Sequence, residues 1–154
     1  LGDLFIVYRE ESTYAFQYVG APNFFLSYRL LDDGAGILWR DCVAKIPLGH
    51  IVLTRNDLIV HNGGRNSAQS LIDRRWKKWL FSSLDDTNFK NSFLMVNFPE
   101  KEVWVCVPET GNEFATLALI WNWSSGGIGI QELPGVPFIA SGLKTDIVTG
   151  DNWG

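Results

Sequence analysis

The chain has 154 residues, of which 46% are hydrophobic and 19% are charged, a composition typical of a globular protein with one sizeable core rather than of a disordered segment. Its net charge of −4 argues against sequence-independent binding of nucleic acid, because that binding needs a basic surface. No apolar run approaches the roughly 20 residues that span a bilayer, so we expect no membrane insertion by this segment.

Three β-hairpins are predicted along the chain, each a pair of apolar runs joined by a short polar turn. The turns fall at residues 10–13, 55–57 and 99–101, so their centres lie about 45 residues apart. A period of roughly 40–50 residues with several strands in each unit is typical of β-propeller blades. The sequence therefore predicts an all-β fold of propeller-like blades made of antiparallel strands.

The remaining strand-like runs fit the same unit. After the first hairpin come "NFFLSYRLL" and "CVAKI", and after the third come "ATLALIWNW" and "IGIQEL". Each pair would complete a four-stranded blade, and a last run, "PFIASG", would begin another blade.

These runs divide the chain into blade-like units at residues 1–47, 48–91 and 92–136, followed by the start of a next unit at 137–154. Propellers close with about 4 to 8 blades, which is more than this chain supplies. The first residue is leucine rather than methionine and lies directly before a strand pattern. We therefore expect the chain to be a fragment of a larger propeller-containing protein.

The middle unit departs from the pattern because its second half reads "SLIDRRWKKWLFSSLDD". Its apolar residues recur at helical spacing and predict one short helix at about residues 70–83. Ser70 followed by Asp73 resembles a capping box at the start of that helix. The residues of the apolar stripe are Ile72, Trp76, Trp79 and Leu80.

The same helix carries a basic cluster in which two tryptophans are interleaved, a pattern that superficially resembles a nucleic-acid patch. The tryptophans fall on the apolar stripe, however, while Arg74 and Lys78 fall on the other side. We expect an amphipathic helix that packs by its tryptophan side and solvates its basic side. Contact with DNA or with an acidic neighbouring subunit is the alternative. The basic residues are Arg74, Arg75, Lys77 and Lys78.

The strand "EVWVCV" is apolar on both faces, since Val103, Val105 and Val107 point one way while Trp104 and Cys106 point the other. A sheet with one solvated face should alternate polar and apolar residues, whereas a sheet covered on both faces need not. Stacked blades cover both faces, which favours the propeller. The alternative is a two-sheet sandwich, which buries one face of each sheet.

Residue types that often carry chemistry occur here without the spacing that such chemistry needs. His50 and His61 stand alone in strand-like runs, and we expect each to be a satisfied or exposed strand residue rather than a metal ligand. Cys42 and Cys106 lie in apolar runs without a CxxC pattern, and we expect buried small hydrophobic residues. We therefore predict no metal and no cofactor.

Two pairs of adjacent acids, Asp32 with Asp33 and Asp85 with Asp86, lie in turn-like stretches. Paired carboxylates can act as general acid and base, but adjacent Asp residues in turns usually accept hydrogen bonds from the local backbone. We expect no catalytic residue, and the chain is not predicted to be an enzyme.

The polar loop at residues 109–113 joins two strongly apolar strands and is expected to project from its blade. It is a better place than the buried tryptophans to look for a partner. The candidate contacts in this loop are Glu109, Asn112 and Glu113, in addition to the four basic residues of the helix.

Four stretches then occur in a fixed order over most of residues 3–142: "LFIVYREESTYAFQYVGAPNFFLSYRLL", "GHIVLTRNDLIVHNGG", "LIDRRWKKWLFSSLD" and "EVWVCVPE" with "NEFATLALIWNWSSGGIGIQELPGVPFIASG". In this order the chain resembles the tail nozzle or tail hub proteins of short-tailed bacteriophages, which form the tubular tail of podovirus-like particles. That family has an "Ala-x-x-x-(Val or Ile)-(Tyr or Trp)-Asn-(Tyr or Trp)" strand after a Pro-containing loop. Ala118, Trp121, Asn122 and Trp123 lie in a comparable run.

The resemblance implies a virion structural protein with a propeller-containing fold and no catalytic residues. It implies a hexameric ring around the DNA-ejection channel, with contacts to the tail adaptor protein and to tail fibres or tailspikes. Genomic DNA would pass through that channel without specific binding, which agrees with the net acidity of the chain.

A glycan-binding or glycan-degrading propeller domain is the alternative function, with Trp39 or Trp153 stacking on sugar rings. The sialidase Asp-box, Ser-x-Asp-x-Gly-x-Thr-Trp, does not match around Asp32, because Leu30 and Gly36 occupy the Ser and Thr positions. Anchoring of the Gly-rich turn is the more ordinary role for Trp39.

Overall fold

Three antiparallel sheets form most of the part of the chain that the structure, a computed structural model, describes: residues 4–22, 24–31 and 36–139. The first sheet holds β1 (Leu4–Tyr8), β2 (Thr13–Gly20) and β3 (Phe24–Leu31). The second holds β4 (Val43–Ile46), β5 (Gly49–Leu53), β6 (Leu58–His61) and β7 (Gln69–Ser70). The third holds β8 (Phe93–Asn97), β9 (Glu102–Val107), β10 (Ala115–Asn122) and β11 (Ile128–Val136).

Helix α1 (Arg74–Ser83) and a short 3-10 helix (Phe89–Asn91) connect the second sheet to the third. Each sheet is a meander in which strands that follow one another in sequence are hydrogen-bonded neighbours. The prediction of an all-β fold with one short α-helix is confirmed. Within the described residues all three sheets are open at their edges.

The three predicted hairpins are present as β1–β2, β5–β6 and β8–β9. Their turns form where short polar side chains can bond the backbone. In the second hairpin the Thr54 hydroxyl accepts a hydrogen bond from the amide of Asp57 at 2.9 Å and donates to its carbonyl at 3.0 Å. Side-chain hydrogen bonding of this kind therefore sets the turn of the second hairpin. The other two turns are closed by backbone hydrogen bonds, from the amide of Arg9 to the carbonyl of Ser12 and from the amide of Lys101 to the carbonyl of Phe98.

The strand in "CVAKI" does not complete a blade with the first hairpin, as the sequence pattern suggested. This strand, β4, pairs with β5 and so belongs to the second sheet. The tight β4–β5 turn depends on Gly49, whose φ is 138° and where a Cβ would collide with the His61 carbonyl. At the other end, β11 continues to Val136, and most of the expected next unit at 137–154 lies outside the described residues.

The helix begins at Arg74 rather than near residue 70, and the capping-box prediction is wrong. Asp73 is itself the N-cap, because its side chain accepts a hydrogen bond from the amide of Trp76 at 3.0 Å. Ser70 instead pairs with Ile59 in the second sheet and donates its hydroxyl to Asp57. Pairing with β6 thus holds Ser70 in an extended strand.

Both faces of the second sheet are buried. Its apolar residues belong to one continuous core cluster with the inner faces of the first and third sheets and with Leu80 of α1. The described strands form three sheets and not two, so the two-sheet sandwich does not apply. One face of the second sheet carries Val52, Ile59 and His61, and the other carries Ile51, Leu53 and Leu58, all at most 7% exposed.

The third sheet is apolar on both faces, as predicted from the sequence. Val103, Val105 and Val107 are fully buried in the main core. On the opposite face Cys106 and Ala118 are also fully buried, in a second apolar cluster against which Trp104, Leu133, Val136 and Ile139 pack. Burial raises the pKa of the Cys106 thiol, and likewise that of Cys42, to about 12, so both behave as small hydrophobic residues.

A polar cluster in the apolar joint between the first and second sheets consists of Tyr8, His50 and His61. The Tyr8 hydroxyl lies 2.7 Å from Nδ1 of His50 and 2.8 Å from Nε2 of His61. A phenol carries one hydrogen, so it donates to one ring and accepts an N–H from the other. Both histidines are therefore satisfied strand residues, as expected, although Nδ1 of the buried His61 has no partner among the described residues.

A second anchor joins the same sheets. The Tyr28 hydroxyl donates a 2.9 Å hydrogen bond to the carbonyl of Gly63, beyond the end of β6. The guanidinium of Arg65 lies 4.9 Å from the centre of the Tyr28 ring. Tyr8 and Tyr28 thus fix β1 and β3 on the second sheet through polar groups at two points.

Replacing Tyr8 with phenylalanine should lower the free energy of unfolding by about 1–3 kcal/mol, because two histidine nitrogens lose their shared partner in a buried joint. Urea denaturation of Tyr8→Phe against wild type measures this change. Tyr18→Phe removes the hydroxyl of a 61% exposed tyrosine and should change stability by less than about 0.5 kcal/mol. Equal effects of the two substitutions would contradict a role for the polar cluster.

Stability should also fall in mild acid. Burial, with a smaller contribution from neighbouring His50, lowers the pKa of His61 to about 4, whereas an unfolded histidine has a pKa of about 6.5. The unfolded chain therefore binds more protons between these values, so stability is complete above about pH 6.5 and decreases toward pH 4. Urea midpoints at pH 7.5, 6 and 5 measure the slope. His61→Gln should show a shallower slope, and an unchanged slope would contradict this assignment.

Candidate partner-binding surfaces

The basic helix α1 packs by its tryptophan side, as predicted. Leu80 is buried, and the half-buried Trp76 and Trp79 pack against the main core with their rings edge to face at 5.8 Å. Arg74 and Lys78 are exposed on the outer side. The helix is therefore amphipathic in the sense expected from its spacing.

The four basic residues proposed as partner contacts differ in their surroundings. Lys77 donates a 2.7 Å hydrogen bond to Asp57, at the turn between β5 and β6, and this ion pair is partly buried. Arg75 is exposed and its guanidinium lies 5.0 Å from the centre of the Trp76 ring. Lys77 thus fastens α1 to the second sheet, while Arg74, Arg75 and Lys78 stay candidates for contact with a partner.

The loop at residues 109–113 is fastened to the segment that follows α1 and does not project from the sheet on its own. The amide of Thr110 donates to the carbonyl of Ser83 at 3.0 Å. The Asn88 side chain donates to the carbonyl of Asn112 at 3.1 Å, and the Asn91 side chain donates to that of Glu113 at 2.7 Å. These hydrogen bonds use the loop backbone and leave the side chains of Asn112 and Glu113 exposed.

Glu109 is held more closely than the other two loop candidates. Its carboxylate accepts a 3.0 Å hydrogen bond from the hydroxyl of Thr116, and Leu84 forms an isolated β-bridge with it. The side chain is half-buried. Glu109 therefore supports the loop, and Asn112 and Glu113 are better placed to meet a partner.

Asp85 connects the two segments. Its carboxylate accepts hydrogen bonds from the amides of Thr87 at 2.8 Å, Asn88 at 2.6 Å and Gly111 at 2.8 Å. The hydrogen bonds from Gly111 and then from Asn88 lower the pKa of Asp85. As the sequence suggested, Asp85 accepts hydrogen bonds from local backbone donors. Its bond to Gly111, 26 residues away in the same chain, could not be predicted from local spacing.

Asp85→Ala should loosen the loop without unfolding the core, because three backbone amides lose their common acceptor. Hydrogen exchange followed by mass spectrometry should show roughly tenfold faster exchange in peptides covering residues 85–91 and 108–114. The neighbouring acid is exposed and provides the matched control Asp86→Ala. Similar exchange in both variants would mean that Asp85 does not hold the loop.

Of the three residues named for glycan recognition, the structure describes only Trp39. Trp39 is half-buried and packs edge to face on Phe89 at 6.1 Å, with the ammonium of Lys90 5.7 Å from its ring centre. This packing fits the anchoring role expected for the ring. Asp32 and Trp153, like Asp33, lie outside the described residues.

The strand that carries the resemblance to tail nozzle proteins uses its residues for packing and turn formation. Ala118 and Trp121 are buried on opposite faces of β10. Asn122 accepts hydrogen bonds from the amides of Ser124 and Ser125 and donates to the carbonyl of Glu100. One asparagine thus ties the β10–β11 turn to the β8–β9 turn.

The end of the β2–β3 hairpin forms a further surface, which the sequence pattern did not predict. We name it the β2–β3 arm (residues 17–22 and 24–27). Among the described residues the pairing of β1 with β2 runs as far as Leu4 and Gln17, and the arm lies beyond this described pairing. All of its described residues are exposed except the half-buried Gly20. Its exposed apolar side chains include Tyr18 (61%), Val19 (48%), Phe24 (56%), Phe25 (61%) and Leu26 (52%).

The outer face of the first sheet continues this apolar surface. Phe5 on β1 is 68% exposed and packs against Phe16, its direct neighbour on β2. Tyr18 and Phe25 face each other across β2 and β3 with ring centres 5.6 Å apart. A hint was present in the sequence, because no charged residue lies between Glu11 and Arg29.

A groove of about 800 Å³ lies at the opposite end of the first hairpin, around its turn. Its charges have both signs and partly pair with each other, as in the exposed contact of 3.5 Å between Arg55 and Glu10. Exposed pairs of this kind contribute little to binding or stability. The groove is lined by Arg9, Glu10, Glu11, Ser12, Tyr14, Arg29 and Arg55.

Comparison with known proteins does not place the chain in a family: no protein-family model matches it, and no curated protein matches it at a significant level. Within residues 4–22, 24–31 and 36–139, no group of three His, Cys, Asp or Glu side chains is arranged to hold a metal ion. The same residues contain no helix that is both long and apolar enough to cross a membrane.

Proposed function

We propose that the chain is part of a ring-forming virion protein, the tail nozzle or hub of a short-tailed bacteriophage. The observation that carries the proposal is the packing of three meander sheets around one core, with the second sheet buried on both faces. Successive propeller blades are meanders of this kind and cover each other's faces. The stretches that resemble tail nozzle proteins form these same sheets and the helix between them.

In the proposed architecture the three sheets are blades of a propeller-containing module, and the protein assembles as a hexamer around the channel through which the genome leaves. The tail adaptor protein and the tail fibres or tailspikes are its proposed neighbours in the virion. DNA passes through the channel without specific binding, which the net charge of −4 favours because like charges repel.

The proposed mechanism is passive. A conduit and attachment platform needs a rigid module and large contacts between subunits rather than groups that react. Polar anchors at Tyr8, Asp57 and Asp85 join the sheets, the helix and the loops, which suits a rigid module. The proposal assigns no catalytic residue, metal or cofactor to the chain.

Negative-stain electron microscopy of the purified protein at high concentration tests the proposal. Rings with six-fold symmetry, or arcs of such rings, are expected, and native mass spectrometry should give masses up to six copies. Monomers alone at every concentration would count against the ring. Binding or cleavage of polysaccharide that is lost in Trp39→Ala would favour the glycan alternative instead.

A further inference from the structure

The outer face of the β2–β3 arm, together with Phe5 of β1, presents an open apolar surface. A fully covered Phe or Tyr buries about 150–250 Å², so the exposed fractions of Phe5, Tyr18 and Phe25 leave roughly 300–500 Å² of aromatic surface open on this face. A stable interface buries about 800 Å² on each partner, and contiguous apolar patches of several hundred Å² often mark interaction sites. Leu26 is exposed on the opposite face of β3.

The chemistry of the arm fits a protein partner better than a lipid surface. The exposed apolar side chains extend along the sheet face as far as Phe5 on β1 and are not confined to the hairpin tip. The arm contains no lysine or arginine that could attract anionic headgroups, and the whole chain is acidic. A broad, flat and uncharged sheet face is suited to packing against another protein.

The β3 edge of the first sheet also favours contact with a protein partner. Strand β3 is eight residues long and, among the described strands, pairs with β2 alone. Edge strands are usually protected by charges, prolines or bulges. The β2–β3 ladder is irregular between Tyr18 and Gly20, and β3 carries Arg29 near its far end, but the stretch between Phe24 and Tyr28 has neither charge nor proline. This stretch is therefore the part of the edge best suited to pairing with a partner.

The same chain carries two exposed apolar side chains on its third sheet. Among the described strands β11 is an edge strand, where Ile130 is 46% exposed, and Phe138 just beyond the strand is 73% exposed. The exposed Glu132 lies on the same face of β11 as Ile130, so a partner must leave this carboxylate at the rim of the contact, where water still reaches it. Because the two surfaces belong to different sheets, one copy can present the arm while the next presents β11.

We propose that the β2–β3 arm docks on the β11 edge of a second copy of this chain, so that copies associate head to tail. Contacts between two different surfaces repeat around a ring or along a filament, whereas contacts between identical surfaces close as dimers. This inference rests on the proposed ring-forming function and names the contact that would build the ring.

Sedimentation velocity over a range of protein concentrations tests the arm. Wild type should form oligomers, and the double substitution Tyr18→Ser with Phe25→Ser should raise the dissociation constant by at least about 10-fold, because exposed aromatic residues dominate such contacts. Leu48→Ser is the matched control, since Leu48 is 54% exposed in the β4–β5 turn and belongs to neither surface. It should associate like wild type. Unchanged urea midpoints would show that the variants still fold.

Chemical crosslinking tests the docking site. Phe25→Cys and Ile130→Cys proteins are prepared separately, mixed, and treated with a short bismaleimide. The native Cys42 and Cys106 are buried with a pKa of about 12 and should stay unmodified. A crosslink is expected between the two variants in the mixture, and little is expected for Leu48→Cys mixed with Ile130→Cys.

The outcomes separate the contact from the ring itself. Rings or oligomers that persist in the Tyr18→Ser, Phe25→Ser protein would overturn the proposed contact and leave the ring-forming function standing. Efficient crosslinking of Phe25→Cys to itself would overturn head-to-tail docking in favour of a two-fold dimer. Monomers at all concentrations would contradict both proposals. If wild type sediments with neutral phosphatidylcholine vesicles and the arm variant does not, the arm binds a lipid surface. That result would overturn docking on a second copy.

Discussion

The position of the first sheet on the second is fixed by two tyrosine hydroxyls, one of which contacts two histidines at once. His50 and His61 face each other across β5 and β6, and a buried ring nitrogen without a partner costs free energy. Tyr8 reaches both rings from β1, so a single side chain satisfies two neighbours on another sheet. Apolar packing alone would tolerate sliding of one sheet over the other, whereas this polar contact is made in one position only. The other ring nitrogen of His61, Nδ1, is buried without a hydrogen-bond partner among the described residues.

The exposed arm is a geometric consequence of that anchoring. Strands β2 and β3 have eight residues each, but β5 and β6 beneath them have five and four. With Tyr8 and Tyr28 held on the second sheet, the surplus length of the longer strands has nothing beneath it within the described chain. The residues in that overhang are aromatic and uncharged, so the fold itself creates the apolar surface.

Local patterns in the sequence predicted the hairpins, the helix and the apolar character of the third sheet, because turn chemistry and periodicity act over a few residues. They could not assign β4 to a sheet, since that choice depends on Gly49 and the approach of His61 from another strand. Local patterns also could not predict the ion pair between Lys77 and Asp57, because these residues are 20 positions apart in the sequence. Periodicity shows that a residue such as Phe25 is apolar but not what covers it, and the arm was therefore missed.

Two kinds of surface with different physical roles follow from this arrangement. The loop at residues 109–113 is polar and its backbone is held by Asp85, so a partner that binds there orders little additional backbone. The arm is apolar and supplies surface area that a partner can bury. In stable interfaces an apolar centre supplies most of the affinity, while polar groups at the rim set orientation and exclude wrong partners. In the proposed ring the arm would hold neighbouring copies together, and Asn112 and Glu113 would select the orientation of a different neighbour.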